Sequence, residues 1–292
     1  MNTAYKYIDA IAALGEGAIW DHKTHRYYWI DIENGNVFIY EPSKGNIKSI
    51  PVGQRIGTVV PTTKEDHVLV ALQNGIYSLD ISTEELKLLA EAPYDPNRIR
   101  FNDGKCDPAG RFLVGTMGLA SEPDIAALYC YEKGTTPIQI LHNVTCSNGL
   151  CWSNDKNIMY YIDTPKQWVK AFDYDIFSGA IKNGRIIIDF KDIEGSPDGM
   201  TIDSDGNLWI ALWGGSSVVC YNPTTSKLVE RIPVPAKNVT SCTFGGDDLR
   251  TLFITSASIG MHKLDQQTYP HAGAVFAAVP GVTGIKNHFF KW

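Results

Sequence analysis

The chain has no long apolar run, no surplus of positive charge and no paired-cysteine motif, and each absence removes a class of protein. No stretch approaches the roughly 20 consecutive apolar residues that a bilayer-spanning helix needs, so a membrane is not an expected partner. The first thirteen residues carry Lys6 and Asp9 and lack an apolar core of signal-peptide length, which makes a cytoplasmic location the expectation. With 26 Lys and Arg against 32 Asp and Glu, the formal net charge is −6. Clustered cations that could release counterions from a phosphate backbone are therefore missing, and no nucleic-acid partner is expected. The six cysteines, Cys106, Cys130, Cys146, Cys151, Cys220 and Cys242, form no CxxC pair. Scattered through apolar segments of a chain too large to need disulfide staples, they read as reduced, buried thiols and give no support to a zinc ribbon or a redox dithiol.

Two catalytic signatures are also missing. There is no GxSxG nucleophile elbow and no HExxH helix, and the seven histidines share no repeat position, so none is a candidate site residue. Long stretches of 3.6-residue periodicity are scarce, because the apolar runs are short and separated by Gly, Pro, Asn and Asp; this argues against a helical solenoid. What is present is a composition that can build a core, 44% apolar and 20% charged, over 292 residues. A chain of that length needs either two domains or one closed repeat.

A repeat is visible. Each copy has a polar residue, a short strand, a Gly- or Asp-bearing turn and a second strand rich in aromatic and β-branched residues. Ser196-Pro197-Asp198-Gly199-Met200 followed by Asp203 to Ile210 is the clearest, and Asn102 to Val114 and Asn148 to Asp163 follow the same order. Alignment puts Glu16, Thr58, Asn102, Asn148, Asp198 and Thr240 at one common position, with gaps of 42, 44, 46, 50 and 42 residues. That period, with about four strands per unit, is the signature of a β-propeller blade. The expected fold is thus all-β, a six-bladed β-propeller forming one domain over residues 1–292. The strand Tyr5 to Ala10 has no earlier strands of its own blade and is expected to complete the blade begun at Thr240, closing the ring and hiding a sheet edge.

Equivalent positions in a ring repeat face its axis, so the six common-position residues should converge on one mouth of the central channel. Asn-Gly and Asp-Gly are also ordinary turn chemistry, and a polar channel can hold water alone. Two carboxylates in a confined mouth repel, however, and the set Glu, Thr, Asn, Asn, Asp, Thr is all oxygen on its acceptor side. Such a set suits one divalent cation: Ca, Mg or Mn as hard ions, with Zn or Fe(II) as further candidates. The aromatics Trp20, Trp29, Trp152, Trp209 and Phe253 recur within strands and read as packing between blades.

Leu14-Gly15-Glu16-Gly17, Arg100 to Lys105 with Gly115-Thr116-Met117, Ser147 to Leu150, Pro197 to Met200 and Ala211 to Gly215 together resemble the regucalcin, gluconolactonase and luciferin-regenerating enzyme family. The resemblance implies one divalent metal bound by Glu16, Asn148 and Asp198. It implies substrate contacts from Arg100 and Asn102, and Asp198 as the base. An acidic residue soon after Gly-Thr-Met contacts sugar hydroxyls in regucalcin-like members; this chain has Gly118-Leu119-Ala120-Ser121 there and Glu122 next, which makes Glu122 the candidate. The expected reaction is metal-assisted hydrolysis of a small-molecule sugar lactone, with the cation polarising the carbonyl and Asp198 activating water, in a monomer or weak dimer. The alternatives are a non-catalytic metal-binding propeller that recognises a ligand or protein, and a hydrolase of another ester.

Overall fold

The computed structural model describes residues 3–292. Six four-stranded antiparallel sheets stand around one axis. Blades 1 to 5 each use four consecutive strands, whose innermost members are Gly15–Asp21, Ile56–Pro61, Ile99–Cys106, Ser147–Trp152 and Ser196–Ile202. Blade 6 takes Asn238–Gly245, Thr251–Ala257 and Val275–Ala278 from the end of the chain, and its outermost strand is Tyr5–Ile8 from the beginning. Tyr5 pairs with Ala277 and Ile8 with Val275, so the ring is closed by hydrogen bonds between the two ends of the sequence, as expected.

Burial falls from the axis outward, and the residue types follow it. The innermost strand of blade 1, Gly15–Asp21, is buried at every residue, whereas the outermost strand of blade 3, Ile138–Val144, has only its last residue buried. Aromatic rings fill the wedge between blades 6 and 1, where Tyr27 packs on Phe253 at 4.7 Å and on Trp29 at 5.2 Å between centroids. This is the seam the closing strand must hold. The turn after the innermost strand repeats as well: Asp107 Oδ1 accepts from the Ala109 and Arg111 N–H groups, both at 2.9 Å, and Asp203 Oδ1 does the same for Asp205 and Asn207. An Asp that hydrogen-bonds the backbone two residues on is a turn builder, which accounts for the repeated Asp at the foot of the strands.

The last twelve residues, 281–292, form a strap across the end of the channel where the innermost strands finish. The Ser204 N–H donates to the Thr283 carbonyl, Gly284 N–H to the Leu249 carbonyl and Lys291 N–H to the Gly110 carbonyl. Asn287 Nδ2 reaches the Trp20 carbonyl at 3.0 Å, and Phe290, fully buried, stacks on Tyr131 and pairs its backbone with Pro61 and Thr63. The strap therefore ties five of the six blades together and closes that mouth. Among the described residues no helix is long and apolar enough to cross a membrane, and all six cysteines are free thiols.

Candidate functional site

All six common-position residues lie inside innermost strands and are buried, Glu16 at 7% exposure and Thr240 at 0%. Each of those strands carries a one-residue irregularity at the same height: between Glu16 and Ile19, Ile56 and Thr58, Phe101 and Gly104, Asn148 and Leu150, Pro197 and Met200, and Val239 and Cys242. An extra residue opposite a regular partner re-aims the side chain beside it. Six such bulges at one level are what turn a stack of strands into a ring of inward-pointing groups.

The glycines that follow are not turn residues, as Asn-Gly and Asp-Gly suggest in isolation, but spacers within strands. A Cβ on Gly149 would stand 2.6 Å from the Asp198 carbonyl oxygen, and one on Gly199 would stand 2.6 Å from Ser241 Oγ. Neighbouring blades come this close only where there is no side chain.

The ring is smaller than the repeat suggests. Thr58 Oγ1 donates to the Gly104 carbonyl at 3.1 Å, and Thr240 Oγ1 donates to the Gly15 carbonyl, so both threonines are consumed in joining one blade to the next. The remaining four, Glu16, Asn102, Asn148 and Asp198, line one cavity of about 300 Å³ together with Arg100, Ser121, Thr164 and an apolar group formed by Leu14, Ile32, Met117, Cys146 and Trp213.

Within it the hydrogen bonds fix which atoms face the space. Thr164 Oγ1 donates to the Pro197 carbonyl at 2.8 Å, so its lone pair is left to accept Asn148 Nδ2 at 2.9 Å. That orients the carboxamide, and Asn148 Oδ1 is buried without a partner among the described residues. Asp198 Oδ1 is likewise buried and unpartnered. Glu16 Oε2 accepts only the neighbouring Gly17 N–H, at 3.1 Å. Asn102 is fully engaged: Nδ2 donates to the Ser147 carbonyl at 2.8 Å and Oδ1 accepts Arg100 Nη1 at 2.7 Å. It holds the guanidinium in place.

The electrostatics show what the cluster lacks. Burial, and then the charge of Asp103, push the Glu16 carboxyl up to about 8. Burial, then Glu16 and Asp103, hold Asp198 well above the usual carboxylate range. Burial raises the Asp103 carboxyl as well, and it lowers the Arg100 guanidinium from its ordinary value. Among the described residues no group of three His, Cys, Asp or Glu side chains is placed to hold a metal ion. The set here is instead two carboxylates and a carboxamide, with two orphaned oxygens, each costing about 1–3 kcal/mol while unpaired. A cation among Glu16, Asn148 and Asp198 removes both penalties, so these residues fit a hard divalent ion.

Glu122 stands apart from the other candidates. It does not line the cavity: its Oε2 turns back to accept the Ala120 N–H at 3.2 Å, and Ser121 takes the place on the wall. Other contributors were missed from sequence. Asp31 accepts from the Ala13 and Leu14 N–H groups at 2.8 and 3.2 Å, and Asp163 from Thr145 and Cys146 at 3.1 and 2.9 Å. Each clamps the backbone that leads into a cavity residue, Glu16 or Asn148. Their signal was available, since Tyr27-Tyr28-Trp29-Ile30-Asp31 and Tyr160-Tyr161-Ile162-Asp163 end second strands at the same register. Asp103, next to Asn102 in the bulged stretch between Phe101 and Gly104, does not line the cavity and acts on it through its charge.

Comparison with known proteins adds the following. Residues 14–258 match the family described as SMP-30/Gluconolactonase/LRE-like region. The chain is 38% identical over 270 residues to "Putative sugar lactone lactonase YvrE" of Bacillus subtilis (strain 168), covering 92% of each chain. Among solved structures it superposes on a luciferin-regenerating enzyme with a TM-score of 0.94 and 29% identity over 100% of both chains. It superposes equally, at a TM-score of 0.94 and 25% identity over 99% of this chain and 98% of the other, on the calcium-binding protein regucalcin of Agrobacterium tumefaciens strain C58.

Proposed function

Since the chain belongs to the SMP-30/gluconolactonase/LRE-like family, we propose that it hydrolyses a sugar lactone with the help of one divalent cation held by Glu16, Asn148 and Asp198. The observation that carries the reading is the pair of buried, unpartnered oxygens, Asn148 Oδ1 and Asp198 Oδ1, in a cavity that Arg100 also lines. Bound there, the cation supplies a Lewis acid for the lactone carbonyl.

The chain's own groups do the rest. Asp198 takes the proton of the attacking water as the water oxygen bonds to the carbonyl carbon. The ring C–O bond then breaks and the leaving alkoxide takes that proton back, giving the hydroxy acid. In the metal-free site burial, then Glu16, holds the Asp198 carboxyl above the usual range; a cation held beside it would favour the ionised form, the state in which Asp198 can accept a proton. Arg100 uses Nη1 on Asn102 and on the Phe101 carbonyl, which fixes its plane and leaves Nε and Nη2 to bind the ester or a hydroxyl. Asn102 is a positioning residue for Arg100.

The roles separate by mutation. Asp198→Asn is expected to lower turnover by about a hundredfold or more while cation affinity falls less, and Glu16→Gln to weaken the cation with a smaller effect on turnover at saturating metal. Equal losses of both in both variants would refute the division of labour.

A further inference from the structure

We propose that the preferred lactone carries an alkyl or deoxygenated arm rather than a row of hydroxyls; this rests on the lactone-opening part of the reading above and departs from its polyhydroxylated sugar substrate. The apolar wall of the cavity is made of Leu14 and Ile32 from blade 1, Met117 from blade 3 and Trp213 from blade 5, so it is spread around the ring. The polar groups around it are largely closed on one another: Asn102 on Arg100 and Ser147, Asn148 Nδ2 on Thr164, and Thr164 on Pro197. Once the oxygens of Glu16, Asn148 and Asp198 are given to a cation, what remains for substrate hydroxyls is the free edge of Arg100 and the Ser121 hydroxyl. Glu122, the acidic side chain that could have accepted from them, is turned into its own loop.

Trp213 makes the point sharply. It pairs with Ser196, two residues before the ring residue Asp198, next to the position at which blades 1 and 4 carry Asp31 and Asp163, opposite Gly15 and Ser147. There the Asp side chains clamp backbone, whereas the half-buried indole of Trp213 has no ring partner and no hydrogen bond among the described residues and borders the cavity instead. A hydroxyl pressed against this wall loses its water without gaining a partner, a cost of about tenfold or more in affinity each. A methylene in the same place gains about fourfold.

The test compares three six-membered lactones, δ-octalactone, δ-valerolactone and glucono-δ-lactone, each corrected for spontaneous opening, on the full chain supplied with Mn²⁺. The kcat/KM for δ-octalactone is expected to exceed the other two by about tenfold or more, since three methylenes are added. A lactam bearing the same propyl arm, which does not turn over, is expected to bind about tenfold more tightly than the bare lactam. Trp213→Ala is expected to reduce the octalactone-to-valerolactone ratio about fivefold, and Met117→Gln gives a second reading of the same wall if the first variant folds poorly. Fastest opening of glucono-δ-lactone, or an unchanged ratio in both variants, overturns the inference while leaving the lactonase reading intact. No opening of any of the three overturns the lactonase reading itself.

Discussion

Replacing Asp163 by Asn tests whether the site is built from its supporting backbone. Asp163 is 2% exposed, and its two oxygens each accept one backbone N–H, from Thr145 and from Cys146. An Asn keeps one acceptor and turns its NH₂ toward the other N–H, leaving a buried donor unpaired. Burial raises the Asp163 carboxyl above its ordinary value, so desolvation already offsets part of what these bonds contribute. The net loss is about 1–2 kcal/mol, or roughly 2–6 °C in Tm for a chain of this size. The more telling effect is on the cation. Asn148 follows the clamped segment by two residues, and loosening a group that orients a ligand commonly costs about tenfold or more in metal affinity. Calorimetric titration with Mn²⁺ beside thermal denaturation measures both. Asp173→Asn is the control: it weakens an exposed, solvent-screened pair with Arg185 far from the cavity and should leave cation affinity as it was. A variant at Asp163 that loses stability but keeps the parent's affinity would show the clamp to be structural only.

Two further outcomes are expected. Phe290→Ala removes a fully buried ring from the strap and should cost about 3–5 kcal/mol in a urea titration; a loss under about 1 kcal/mol would mean the strap is weakly attached. Burial pushes the Cys130 and Cys151 thiols up to about 12, so at pH 8 only about one part in ten thousand is thiolate, and iodoacetamide should label them roughly a thousandfold more slowly than free cysteine. Rapid alkylation of either in the native protein would contradict that burial.

The parts of this fold that the sequence discloses are those the axis buries. An innermost strand such as Ser196–Ile202 is buried at every residue but the first, and the repetition of such strands every 42 to 50 residues carries the blade number. Outer strands such as Ile138–Val144 and Ile181–Asp189 are largely exposed, and with one face in water and little to pack against they carry almost no pattern. The ring residues were legible as a set because they repeat, yet their fates diverge for reasons no spacing encodes. Thr58 and Thr240 are short enough to reach a neighbouring carbonyl and do so, while Asn148 is turned by Thr164, a residue from a different strand end. Glu122 shows the converse: it has the expected chemistry, yet its carboxylate accepts the Ala120 N–H within its own loop, next to Ser121 with φ of 57°.

On the proposed reading, the buried oxygens Asn148 Oδ1 and Asp198 Oδ1, with the Glu16 carboxylate, form a cation site on which lactone opening depends. The direct measurement is a titration of chelator-stripped protein with Mn²⁺, following bound metal and glucono-δ-lactone or δ-octalactone turnover in the same samples. Turnover is expected to be near background without metal and to rise in step with occupancy to a plateau at about one ion per chain. Full turnover in the stripped protein, or metal binding that saturates with no change in rate, would contradict it.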